Sequence, residues 1–362
     1  MIHLPFNTPA PDYPAFERML TGQEPPRRVH VAELRMDPEL VQWVTENVFG
    51  EQWVASSEQP AVYWPQFLRF CERLGYDFFC HWGFPWTGLP ALRERRGADT
   101  AALGGGQRAW VAEEAGILGD WEDFRRFPWD AVGYDLAPLD ALEAALPRGM
   151  RLAVSTHWFA FVSQKLLGME RFFVLSLDDP ALVQAALDRW GEQVYAYYEA
   201  CLRRESVAAI FHSDDLGHKT ATLLAPDWLR EHILPWLGRF ADLAHGYGKQ
   251  FWLHSCGNTL ALMEDLIETV GIDAYHSFQD VVFPVTEFHR RYGGRIGAIG
   301  GVDMDDLARM PLDQFHEYVR GILAACQPRG RYALGAGNSL ANYVRPDNYL
   351  AMLEEAWNWP GQ

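Results

Sequence analysis

The chain has 362 residues, 49% of them apolar and 22% charged, a balance that supplies a sizeable core and excludes extended disorder. Its formal net charge of −17 excludes the cationic face that nucleic acid or an anionic membrane would require. Five scattered cysteines without CxxC spacing fit a reduced cytoplasmic protein rather than a disulfide framework.

The N-terminal MIHLPFNTPAPDYPAF lacks a basic region followed by an apolar stretch, and no apolar run reaches the roughly 18–20 residues that span a bilayer. The expectation is a cytoplasmic protein.

The first strand candidate is RVHVAEL, Arg28 to Leu34. A helix follows on Asp37–Pro38, an N-cap ahead of a proline at the first helical position. YDFFCHW, Tyr76 to Trp82, is the second strand. The stretch from 83 to 129 exceeds a normal βα connection and reads as an insertion, with GGGQ (Gly104 to Gln107) as a mobile loop inside it. RLAVSTHW, Arg151 to Trp158, is the third strand, and a long helix with apolar residues three to four apart opens on Asp179–Pro180.

The fourth strand, AAIFHSDD, runs from Ala208 to Asp215, ahead of an amphipathic helix interrupted by Pro235 and ending near Gly246 and Gly248. QFWLHSC (Gln250 to Cys256), DAYHSF (Asp273 to Phe278), RIGAIGGVD (Arg295 to Asp303) and RYALGAGN (Arg331 to Asn338) complete eight strands, and PDNYLAMLEEAW closes the chain. Continuous apolar strands alternating with helices predict a parallel sheet covered by helices. Eight such units predict a (β/α)8 TIM barrel in one domain over 1–362, with its core at about 27–357 and an N-terminal extension. An open doubly wound sheet would call for a Gly-rich phosphate-binding turn, which is missing.

A parallel barrel carries its chemistry at the C-terminal ends of its strands. Those ends supply Glu33, His81, His157, His212 with Asp214 and Asp215, His254 with Cys256, His276 with Gln279, Asp303 and Asn338. Residues two apart on a strand share a face, so His254 and Cys256 converge, and imidazole and thiolate are both zinc ligands. The adjacent acids Asp214 and Asp215 repel, which favours a proton held on at least one of them or a bound cation. Asp214, Asp215, His276 and Glu33 are the candidate catalytic groups. His254, Cys256 and Asp215 are the candidate metal ligands, and Asn338, His157 and Gln279 the candidate cofactor or substrate contacts. Of fifteen tryptophans, Trp82, Trp86 and Trp158 lie near strand ends, where they could line a pocket for a flat or methylated cationic ligand.

HSDDLG, the segment LAPDWLREHILPWLGRFADLAHGYGKQFWLHSCGN, GGVDMDDLARM and RYALGAGNSLANYVRPDNYLAMLEEA together resemble the uroporphyrinogen decarboxylase superfamily, most closely its corrinoid-linked methyltransferases. The resemblance runs from about Arg27 onward and is densest after Ala208. It implies a (β/α)8 barrel and methyl transfer between a small methylated substrate, or a thiol or folate acceptor, and a corrinoid on a partner protein. It also implies zinc that activates a thiol acceptor such as coenzyme M, held by an HxC pair matching His254 and Cys256.

The branch's later cysteine, in a GCG context, is replaced here by Gly335–Ala336–Gly337, and Cys326 lies too early to stand in. Asp215, Asp214, His212, Glu33 or His276 could complete a ligand set. True decarboxylases of the superfamily carry an arginine-rich motif of the RQAGR kind, absent from EPPRRVHVAELRMDPEL. The runner-up activity is decarboxylation of a small carboxylated substrate, with Asp214 or Asp215 stabilising a protonated intermediate and Arg93, Arg95, Arg96 or Arg151 holding carboxylates. A barrel that binds ligand without turnover is the third reading.

Overall fold

The computed structural model describes residues 8–54, 59–92, 94–105, 107–111 and 116–360. Its centre is one parallel sheet: β1 (His30–Val31), β2 (Phe78–Trp82), β3 (Arg151–Ser155), β4 (Val207–Asp214), β5 (Gln250–Ser255), β6 (Ala274–His276), β7 (Gly297–Ile299) and β8 (Tyr332–Leu334). The spatial order is β2-β3-β4-β5-β6-β7-β8-β1, so from β2 to β8 each strand lies beside its neighbour in sequence, β1 pairs with β8, and the sheet curls into an α/β barrel. All eight predicted strands are present, most of them shorter than their apolar runs. Among the described residues β1 and β2 share no ladder, which leaves a seam in the wall.

Side chains alternate across that wall. Ala32, Phe78, Phe211, Trp252 and Ile299 pack in the interior, while Val31, Phe79, Ile210, Phe251 and Leu334 face the helical layer. Sequence reading saw only an extension at the N-terminus. In the structure the helix Tyr13–Leu20, capped by Asp12 accepting from the Ala15 N–H at 3.1 Å, closes one end of the barrel. Its ends are tied to segments that enter β3 and β8: Tyr13 N–H donates to the Gly149 carbonyl and Arg331 N–H to that of Met19. Phe16, Met19 and Leu20 are fully buried there, worth about 1.5–3 kcal/mol each. The other end remains for chemistry.

Helices follow their start signals. Asp179 accepts from the Leu182 N–H ahead of Pro180–Leu202, and Pro235 falls where the amphipathic segment breaks into Pro226–His232 and Leu234–Gly246. Within 83–129, where no internal order was predicted, Glu94–Ala98 pairs antiparallel with Gln107–Val111. Gln107 of the predicted GGGQ loop is therefore the first residue of a strand. Trp86–Thr87 pairs with Gly133–Tyr134. No helix among the described residues is long and apolar enough to cross a membrane.

Candidate functional site

The alternation decides which strand-end groups reach the mouth. On β4, Ala209 and Phe211 point inward, so Ser213 and Asp215 follow them and His212 and Asp214 point outward. On β5, Trp252 points inward and carries His254 and Cys256 with it. On β6 the inward residues are Ala274 and His276, and His276 pairs in register with His254.

The loops after β4 and β5 are joined backbone to backbone. Gly217 N–H donates to the Cys256 carbonyl at 3.1 Å and Asn258 N–H to that of His218 at 2.7 Å. This contact requires glycine on both sides. A Cβ on Gly217 would lie 2.6 Å from Asn258 N, and Gly257, at φ +78°, would place one 2.4 Å from the Gly217 carbonyl carbon. The result is a cluster in which one ligand atom each from Asp215, His254 and Cys256 lies within 4.8 Å of the others. Those are the three predicted metal ligands.

Hydrogen bonds fix which nitrogen of His254 faces the cluster. A carbonyl can only accept, so His276 Nε2–H donates to the Ala336 carbonyl at 3.1 Å. Burial lowers His276 to about 4, so the ring is neutral at pH 7 and its Nδ1 is a bare acceptor. His254 Nδ1, 2.6 Å away, must therefore be the donor. Burial, with the neighbouring His276 second, also holds His254 well below its ordinary value. That leaves a lone pair on His254 Nε2, 3.4 Å from Cys256 Sγ. Burial, reinforced by the Asp215 charge, lifts the Cys256 thiol to about 12, and Asn338 Nδ2–H donates to the sulfur at 3.2 Å. An imidazole with its lone pair turned inward, a thiol and a carboxylate form a donor set that suits zinc.

Other predicted residues sit elsewhere. Asp214 is a structural group: its buried carboxylate accepts from the Phe159 and Ala160 N–H groups at 3.0 and 2.8 Å and from His212 Nε2 at 2.7 Å. His212 is held from its other side by the Tyr198 hydroxyl at 2.8 Å, so neither residue faces the mouth. Glu33 alternates onto the outer side of β1, where its carboxylate takes the Ala336 N–H. Gln279 is exposed in a turn whose N–H groups, from Val282 and Phe283, bond its own carbonyl.

Asp303 caps the helix Met304–Arg309. Ala336, where the third thiol was expected, buries its methyl in the outer core and offers only its backbone. Arg151 opens β3 at the barrel's closed end, Arg95 and Arg96 lie on the Glu94–Ala98 strand, and Arg93 lies outside the described residues. Trp158 is core, with its indole N–H on the Leu187 carbonyl at 3.0 Å. His81 is buried on the outer face of β2, and among the described residues its Nδ1 has no hydrogen-bond partner.

A cavity of about 930 Å³ lies at the mouth, with His157 on its wall and Trp82, Trp86 and Phe161 around it. His157 Nδ1–H donates to the Ser213 carbonyl at 2.7 Å, and its ring meets Trp82 edge-on at 5.4 Å. Arg35 and Lys165 line this cavity, and among the described residues no carboxylate does, although the chain as a whole is acidic. Sequence reading missed both cations. Lys165 sits on a π-helical turn, Val162–Leu166, a form that recurs at functional sites, and nothing in the local sequence announces that geometry.

A family model described as uroporphyrinogen decarboxylase (URO-D) matches residues 161–359, more than half of the chain. Among solved structures the chain is similar to a methyltransferase from Methanosarcina mazei, with a TM-score of 0.66 and 16% identity over 94% of this chain and 96% of that one. It is also similar to a putative vitamin-B12 independent methionine synthase from Listeria monocytogenes, with a TM-score of 0.51 and 10% identity over 92% and 97%. At such identities the likeness is one of fold. No curated protein sequence matches the chain.

Proposed function

The chain belongs to the uroporphyrinogen decarboxylase family, and from that premise we propose that it is a methyltransferase. It would move a methyl group between a small methylated substrate, or a thiol or folate acceptor, and a corrinoid carried by a partner protein. The observation that carries this reading is the convergence of Asp215, His254 and Cys256 at the barrel mouth. The fold shared with a methyltransferase supports it.

The donor set fits a zinc ion, which His254 Nε2, Cys256 Sγ and an Asp215 oxygen would hold. When bound, such an ion would act as a Lewis acid that lowers the pKa of a thiol acceptor. The chain's own residues do the rest. His276 orients His254 and keeps the Nε2 lone pair directed inward. Asn338 holds the sulfur through its amide N–H. The cavity beside His157 receives the small substrate against Trp82 and Trp86.

A decarboxylase reading would need a cation to hold the substrate carboxylate, and Arg35 on the cavity wall already contacts Asp37 at 3.3 Å. It loses Asp214, whose oxygens are engaged by the backbone and His212. The discriminating experiment incubates purified protein with methylated corrinoid proteins and a panel of thiol and folate acceptors. Methyl exchange that disappears in Cys256→Ala supports the proposal. Carbon dioxide release from a carboxylated substrate without methyl exchange contradicts it.

A further inference from the structure

A second cavity, of about 180 Å³, opens at the seam between β1 and β2. Tyr63, Trp64, Phe67, Tyr76, Phe79 and Trp82 make most of its wall aromatic. Among the described residues a single acid, Glu33, lines it. This carboxyl is 4% exposed, accepts only the Ala336 N–H, and forms no ion pair among the described residues. Burial holds it well above the usual carboxylate range.

Arg35 lines the same cavity but is engaged elsewhere: its guanidinium stacks over Trp82 at 4.3 Å and contacts Asp37 at 3.3 Å. An acid kept in an apolar wall without a cation is costly once ionised, and the cost is removed when a cation arrives from outside. Aromatic faces around such an acid attract organic cations, whose weakly hydrated methyl groups also bury apolar surface.

We propose that the β1–β2 seam is a binding site for a small methylated ammonium ion, with Glu33 as its counter-ion and the aromatic wall as its cage. This goes beyond the proposed methyl transfer and does not depend on it. The site is also wired to the mouth: Ala336 gives its N–H to Glu33 and its carbonyl to His276, the residue that orients His254.

The test is titration calorimetry of the full chain with choline and with its neutral isostere, 3,3-dimethylbutan-1-ol. Choline should bind saturably, and the isostere about tenfold or more weaker, as expected for a desolvated cation–π and charge contact. Glu33→Gln keeps the shape and an oxygen for the Ala336 N–H, and should weaken choline by a similar factor while leaving the isostere unchanged. Trp64→Leu should weaken choline as well. Equal binding of the two probes, no saturable choline binding, or undiminished choline binding by Glu33→Gln would each overturn the proposal. If Glu33→Gln does not fold, the comparison of the two probes on the unmodified chain decides alone.

Discussion

Asp214 and Asp215 are adjacent in sequence and occupy opposite sides of the barrel wall, so replacing each with alanine should produce opposite phenotypes. Asp214→Ala strips the acceptor from two buried backbone N–H groups and one imidazole nitrogen. Each unsatisfied buried donor costs about 1–3 kcal/mol, and relaxation with water entry brings the total to about 3–5 kcal/mol. With an unfolding entropy of about 2.1 cal/mol/K per residue over 362 residues, that corresponds to a fall in Tm of about 4–7 °C. Asp215 is half-buried and belongs to the mouth cluster, so Asp215→Ala should shift Tm by no more than about 1 °C, the range of a replacement that breaks no buried network. It should nonetheless lose metal and activity. Calorimetry on chelator-treated protein keeps metal-linked stabilisation out of the comparison. Metal content is then measured on untreated samples. An Asp214→Ala protein as stable as the unmodified chain, or an Asp215→Ala protein equally destabilised, would refute the assignment of sides.

His276→Phe keeps the buried volume but removes the partner of His254 Nδ1, and should weaken metal binding by about 10–100-fold in competition with a chelator; unchanged affinity would contradict the positioning role. Burial raises Asp280 from 3.8 to about 6. The folded state therefore holds this proton more tightly than the unfolded state, so the group's contribution to stability is full below pH 3.8 and is lost as pH rises through about 6. Asp280→Asn should flatten that part of the stability–pH curve measured by urea denaturation, and an unchanged slope would show that another group sets it.

The strands were legible because each is a continuous apolar run, and a parallel sheet buried on both faces permits little else. His254 and Cys256 were legible by the same-face rule for residues two apart. That rule, applied along HSDD, also separates Asp214 from Asp215, since the inward set is Phe211, Ser213 and Asp215. Along HVAEL it turns Glu33 outward with Val31. A polar strand end need not face the mouth: Asp214 takes the backbone N–H groups of Phe159 and Ala160 after β3, and Asp303 caps the helix that follows it. Other features leave no local signature. The helix Tyr13–Leu20 is recognisable as a plug only once the barrel it closes exists. Ala336 acts through its backbone, which no side-chain motif can mark.

The claim on which the account turns is that Asp215, His254 and Cys256 bind one metal ion together. X-ray absorption at the zinc edge, on protein purified without chelator, tests it directly. The expected spectrum has stoichiometric zinc with one sulfur at about 2.3 Å and nitrogen or oxygen neighbours at about 2.0–2.2 Å, and the sulfur shell should vanish in Cys256→Ala. Protein without metal, or zinc with a sulfur-free shell in the unmodified chain, would contradict it.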